Sequence, residues 1–266
     1  MTAISAILTK DIIAISSDSL LTRYYKSVNR YEEIEHQKSK IILMEKYRAA
    51  ASYWGLAKYG NEWTLGSFIR QRLEDAPRGE TLKEFVERLR LALQKEIKGF
   101  KFRRNLDSGI GIHITGFENI DGMDLPELYL LTNFDTPTCD SLKPKFIGLP
   151  QVYSTIKNNL ELPETQQNQE RNIINTYLSS SEWHFLNFNN GDPIIYNSYS
   201  KAVIQSMMVL HQRFNIRMNK PEFIRAIARR PIEGIKMAQR DFMKHGQRVV
   251  GGKIHDILIH RDGTFS

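Results

Sequence analysis

Apolar and polar positions alternate in short blocks at the start of the chain. Segments 1–9 and 12–18 are mostly apolar and flank the polar pair Lys10-Asp11, which predicts a β-hairpin. Two more strands are expected at 40–44 and 47–53, around a Glu45-Lys46 turn. The period then changes. Leu65, Phe68, Ile69 and Leu73 recur at helical spacing, Pro77-Arg78-Gly79 interrupts, and Leu82, Phe85, Val86, Leu89, Leu93 and Ile97 form a second apolar stripe. Thr81 and Glu84 stand three apart before that stripe, as in a capping box. Alternation returns at 109–117 and 125–133, with Asp121-Gly122 between them. After a long irregular stretch, a strand is expected at 182–188, then a turn at 189–192 and a helix from about Pro193 carrying Val203, Ile204, Met207, Met208, Leu210 and Phe214. A short helix capped by Asn219 and another over 231–244 follow. The last strand comes after Gly251-Gly252. Strands and helices in this order give an α+β layered domain.

Two segments do not fit this rhythm. Segment 19–39 is polar and tyrosine-rich, and reads as a loop with at most a helical turn. Segment 136–181 carries four prolines and a polar run at 164–170 and is read as an insertion, serving as a lid, an oligomer contact or a partner site. The chain is otherwise expected to be a single domain over 1–266.

Composition narrows the class. No apolar run approaches the roughly 18 residues of a membrane span, and the first residues lack the pattern of a secretory signal. The single Cys139 excludes an internal disulfide and suits a reducing cytosol, so a cytoplasmic protein without membrane association is expected. The net charge of +7 is spread along the chain rather than gathered in blocks. Nucleic-acid binding, through the basic aromatic run at 100–104, therefore ranks last among the functions considered. His113 has no acid or cysteine at metal-ligand spacing and is taken as structural. His255, Asp256, His260 and Asp262 are close in sequence, but along a strand His255 and Asp256 face opposite sides, and no further ligand set is evident. No metal and no cofactor are expected.

The candidate chemistry lies at the start. Removal of Met1 would leave Thr2 with its hydroxyl and a free α-amine on one residue. Such an amine, with a reference pKa of about 7.7–8, can act as the base for its own hydroxyl. Thr2, then Asp18 closing the second strand, then Lys40 opening the next in Lys40-Ile41-Ile42-Leu43 resemble the β-subunits of the proteasome and the bacterial proteasome-type peptidases. The Gly251-Gly252 pair, the strand after it and the Asp262-Gly263 turn resemble that family's last strands. The resemblance covers the chain except 136–181, and places the extra residues before Lys40 in the 19–39 loop.

The resemblance implies a four-layer αββα sandwich of two antiparallel sheets, the N-terminal nucleophile hydrolase fold. It implies a threonine peptidase in which Thr2 attacks the amide, Lys40 stabilises the alkoxide and Asp18 orients Lys40. Trp54 or Gly55 would supply a backbone N–H to the oxyanion. Trp54 departs from the family's glycine pair, and either narrows the cleft or is a core aromatic. The substrate would be a peptide or unfolded protein. The setting would be a homo-oligomeric ring, with room for an ATPase partner. One departure cuts the other way. The Asp and Ser that orient the nucleophile in active members fall at Gln247 and Val250 here, and a small residue near the amine maps to Asn190 or Gly191. A catalytically inactive structural subunit of a proteasome-like assembly is the alternative.

Overall fold

The computed structural model describes residues 3–25, 30–35, 39–60, 62–100, 109–120, 122–134, 141–148, 186–190, 220–243 and 250–266, with scattered helical positions between 202 and 214. The molecule is mixed α and β, with antiparallel sheets. The expected first hairpin is present: β1 (Ile4–Leu8) pairs with β2 (Ile12–Asp18). Segment 19–39 is not a loop. It holds a second hairpin, β3 (Leu21–Tyr25) against β4 (Arg30–Glu35). The Thr, Tyr and Ile residues there favour extended backbone, and this local preference outweighs the polar composition that suggested a loop.

Next come β5 (Ile41–Met44), one 3-10 turn, and β6 (Ala49–Gly55). The turn ends on Arg48 at φ 51°. A two-strand ribbon, β7 (Lys58–Tyr59) and β8 (Trp63–Thr64), leads into helix α1 (Leu65–Glu74). Thr64 caps α1 through its hydroxyl, which accepts from Ser67 N–H. Helix α2 (Leu82–Lys98) begins with the expected capping box of Thr81 and Glu84, and buries the whole stripe from Leu82 to Ile97. Strands β9 (Ile110–Ile120) and β10 (Met123–Thr132) form the long hairpin.

The segment read as an insertion contains β11 (Lys143–Gly148), a strand paired to β10; 136–140 and 149–181 lie outside the described residues. Strand β12 (Leu186–Asn190) pairs with β1, so Asn189 and Asn190 belong to a strand rather than to the expected turn. Helix α3 (Pro221–Phe242) is one continuous helix where two were expected. Pro231 sits inside it and is buried, as are Ile227, Ala228, Ile232 and Ile235. Packing of this face outweighs the hydrogen bond that Pro231 removes. Its N-cap is Lys220; Asn219 lies outside the described residues. Strand β13 (Ile254–His260) completes the set.

These strands make one sheet in the order β12-β1-β2-β13 and another in the order β11-β10-β9-β6-β5. Three apolar clusters locate the packing. Helices α1 and α2 cover one face of the five-stranded sheet, through Phe68, Phe85, Leu89 and Leu93 against Ala49, Ala51, Ile112 and Ile114. The opposite face meets the four-stranded sheet, with Ile41, Ala50, Phe117 and Leu128 against Ala6, Leu8, Ile13 and Ile15. Helix α3 covers the outer face of the four-stranded sheet, with Ile224, Ile227 and Ala228 on Ile7, Ile12 and Ala14. No helix among the described residues is long and apolar enough to cross a membrane.

Candidate active site

Asp18 ends β2 and is fully buried. Its Oδ1 accepts from Ala3 N–H at 3.0 Å and from Lys40 Nζ at 2.9 Å. Its Oδ2 accepts from Gly251 N–H at 3.1 Å and Leu20 N–H at 3.3 Å. Two donors on each oxygen match the lone-pair directions of a carboxylate. One side chain therefore ties together the start of β1, the end of β2, the turn before β13 and a lysine from the other sheet.

Lys40 precedes β5 and crosses to the four-stranded sheet, with 2% of its surface exposed. Its Nζ also donates to Leu20 O at 2.7 Å. Burial pulls the amine below its ordinary pKa, against the opposing pull of Asp18. A buried ion pair adds little net stability, because both charges lose their water. A lysine of lowered pKa, held by a carboxylate between two sheets, is on physical grounds a candidate for chemistry.

Thr2 lies outside the described residues. The peptide nitrogen that joins it to the chain is that of Ala3, which donates to the same Asp18 oxygen as Lys40. The start of the chain and the lysine thus converge on one atom.

The hydrogen-bond ladder separates the two candidates for the oxyanion donor. Phe117 N–H donates to Arg48 O and Leu56 N–H to Gly109 O. Even-numbered residues of β6 therefore turn their N–H and C=O groups toward β9, and odd-numbered ones toward β5. Pairing with β5 stops at Ile41 opposite Ser52. The N–H of Gly55 thus points past the end of β5, on the side from which Lys40 enters. The N–H of Trp54 points into the β9 pairing, opposite Gly111. Gly55 holds φ at +83°, and a Cβ there would lie 2.1 Å from Gly109 O. Glycine is required at that position on both counts.

The space between the sheets at this end is unusually polar. By strand alternation Ser17 faces it from β2, Ser52 from β6, and His113 and Thr115 from β9. The hydroxyls of Ser17, Ser52 and Thr115 are buried without a hydrogen-bond partner. His113 is held neutral, its pKa pushed down to about 3 by burial, and its ring meets Trp54 edge-on at 5.0 Å.

The helper positions differ from an acidic, hydroxylic shell. Val250 packs its side chain with Ala3, Ile232 and Ile235. Its N–H donates to Gln239 Oε1 at 2.9 Å. Gln247 and Gly191 lie outside the described residues, and Asn190 is placed in β12 opposite Ile4. Ser19 is tied to the same turn, since its Oγ accepts from Lys253 N–H at 2.8 Å. Gln239 and the Gly251 amide were not singled out from sequence. A glutamine four residues after Ile235, on a buried helical face, was the available signal for the first; a backbone donor leaves none.

Asp256, His260 and Asp262, in and just after the last strand, each have a partner within the fold. Asp256 pairs with Arg225 at 3.1 Å and Arg229 at 2.8 Å. His260 meets Ser266 Oγ at 2.9 Å, and Asp262 caps the Thr264 turn.

Comparison with protein-family models gives no match, and comparison with curated proteins gives none either.

Proposed function

We propose that the protein is a proteasome-like N-terminal threonine peptidase, built as an αββα sandwich of the N-terminal nucleophile hydrolase type. The observation that carries this reading is the convergence of Lys40 Nζ and the Ala3 amide on Asp18 Oδ1. Thr2, exposed by removal of Met1, is the nucleophile. Its hydroxyl oxygen attacks the carbonyl carbon of a peptide bond, and the α-amine takes the hydroxyl proton and passes it to the departing amine. Lys40 stabilises the alkoxide as it forms, and Asp18 fixes the direction of Lys40. The Gly55 N–H faces the oxygen that gains charge. Water then hydrolyses the acyl-threonine ester. The substrate is a peptide or an unfolded protein, and the working form is a homo-oligomeric ring in which 136–181 contributes a subunit contact or shapes the entrance.

A second reading has its own observation. Val250 fills a helper position with an apolar side chain in a core cluster, as an inactive structural subunit would. Release of a fluorophore from acyl-peptide amides separates the two. Thr2→Ala should abolish turnover with assembly intact, as read by light scattering, and Lys40→Ala should do nearly the same, at some cost in stability because it leaves Asp18 unpaired. Unchanged turnover in Thr2→Ala rules out the assigned nucleophile, and no turnover by the wild-type chain favours the structural subunit.

A further inference from the structure

Strand β5 is the outer strand of the five-stranded sheet, and its free edge is apolar. The sheet order ends at β5, and the strand reads Ile-Ile-Leu-Met, with no charge, no proline and no break in register. Edge strands are ordinarily blunted by such features, because an open row of amides and carbonyls pairs with another chain. Ile42 and Met44 lie opposite Ala51 and Ala49, the residues of β6 whose backbone groups face β5. The backbone groups of Ile41 and Leu43 therefore point outward. Ser39 closes off Ile41, since its Oγ accepts from Ile41 N–H at 3.1 Å and donates to Ile41 O at 3.3 Å. The N–H and C=O of Leu43 have no partner among the described residues. Its side chain is 43% exposed, while Ile41, Ile42 and Met44 are buried.

A groove of about 400 Å³ lies beside this edge, between β5 and α1, lined by Ile41, Ile42, Leu43, Arg70, Leu73 and Glu74. Arg70 and Glu74 are exposed and carry opposite charges. They stand about one turn apart on α1, and neither has an ion-pair partner among the described residues.

We infer that this edge pairs with the same edge of a second copy of the chain, antiparallel across a two-fold axis at Leu43. Three observations select that occupant. An antiparallel hydrogen-bonded pair exchanges both of its bonds between two residues, and Leu43 is the β5 residue with both outward groups free. A two-fold axis sets a residue against its own counterpart, so each Leu43 N–H donates to the Leu43 carbonyl of the other copy. The half-exposed Leu43 side chains then share one face of the joined sheet and cover each other. The axis also turns α1 end for end, which brings Arg70 of each copy beside Glu74 of the other. The charge pattern of the groove is thus complementary to itself, a property that a strand of unrelated sequence would not use. This contact is separate from the one proposed for 136–181 and does not depend on the peptidase reading.

Light scattering of the full chain and cross-linking at the axis test this contact. Leu43→Lys sets two like charges face to face and should halve the assembled mass at micromolar concentration. Opposed residues of such a pair have Cα atoms about 5.5 Å apart, within disulfide range. Leu43→Cys, in a chain that also carries Cys139→Ser, should therefore give a disulfide-linked dimer on mild oxidation. Arg70→Glu should raise the dissociation constant of the pair about ten-fold, and adding Glu74→Arg should restore it. Both side chains are exposed, so these charge variants read the contact without opening the core. A monomeric wild-type chain, a mass unchanged in Leu43→Lys, or no linked dimer from Leu43→Cys overturns the inference. So does failure of Glu74→Arg to rescue Arg70→Glu. None of these measurements reads turnover, so failure of the contact and failure of the peptidase reading are told apart.

Discussion

Lys40 Nζ stands 2.9 Å from Asp18 Oδ1, although the two residues enter from different sheets and are both buried. Such a pair is costly to halve. Asp18→Ala leaves a lysine between the sheets without its carboxylate and removes the acceptor for three amides, so a loss of about 3–5 kcal/mol is expected. Lys40→Met combined with Asp18→Asn should lose less than the sum of the single changes, because neither partner remains as an unpaired charge. Urea denaturation of the four proteins measures this. Additive losses would mean that the pair is not coupled.

Gln239 supports the site from a distance. Its carboxamide oxygen accepts the buried Val250 N–H, one residue before the glycine whose amide reaches Asp18. Gln239→Ala should destabilise the fold by about 1–3 kcal/mol, the cost of an unsatisfied buried donor. It should also slow turnover, since the turn that contacts Asp18 loses its anchor. Gln239→Glu keeps the acceptor and should recover most of both. Melting curves and peptide turnover, measured on the same preparations, give the comparison.

Much of this was legible in the chain. The pairing of Asp18 with Lys40 was implied by the resemblance to proteasome β-subunits and not by the strand pattern itself, whereas the stripe from Leu82 to Ile97 announced both its helix and its buried face. The hairpin at 21–35 was not legible, because its residues are as polar as a loop and its extended form rests on Tyr, Thr and Ile preference alone. The run through Pro231 was hidden for the opposite reason: local propensity forbids what burial against β1 and β2 imposes. The role of Gly251 was invisible, since its contribution is a backbone amide. The choice of Gly55 over Trp54 needed the strand register. So did the parallel rings of Trp54 and Phe134, which lie against Gly111 and Gly109 of a neighbouring strand.

A pH effect on stability should come from Glu127 on β10. The carboxyl is 6% exposed, and burial, with the Glu118 carboxylate nearby, pushes its pKa up to about 7, while Lys83 opposes the shift. Glu118 is occupied by the Tyr129 hydroxyl at 2.5 Å and the Lys83 backbone N–H at 3.0 Å. In the unfolded chain Glu127 loses its proton near pH 4.5, the ordinary value. Between that pH and about 7 the folded form holds a proton that the unfolded form has released. Stability should therefore fall as pH rises through this window, by up to about 3 kcal/mol from this group. Glu127→Gln should flatten the slope and raise stability at pH 8. A slope unchanged in Glu127→Gln would place its origin in other groups.

Thr2 is proposed as a nucleophile that works with Lys40 and Asp18. Intact-mass spectrometry of the purified chain, before and after addition of a peptide vinyl sulfone, tests it most directly. The expected result is a chain lighter by one methionine that gains one peptide adduct, located on the fragment that begins at Thr2 and missing in Lys40→Ala. A chain that retains Met1, or an adduct carried by any residue other than Thr2, would contradict it.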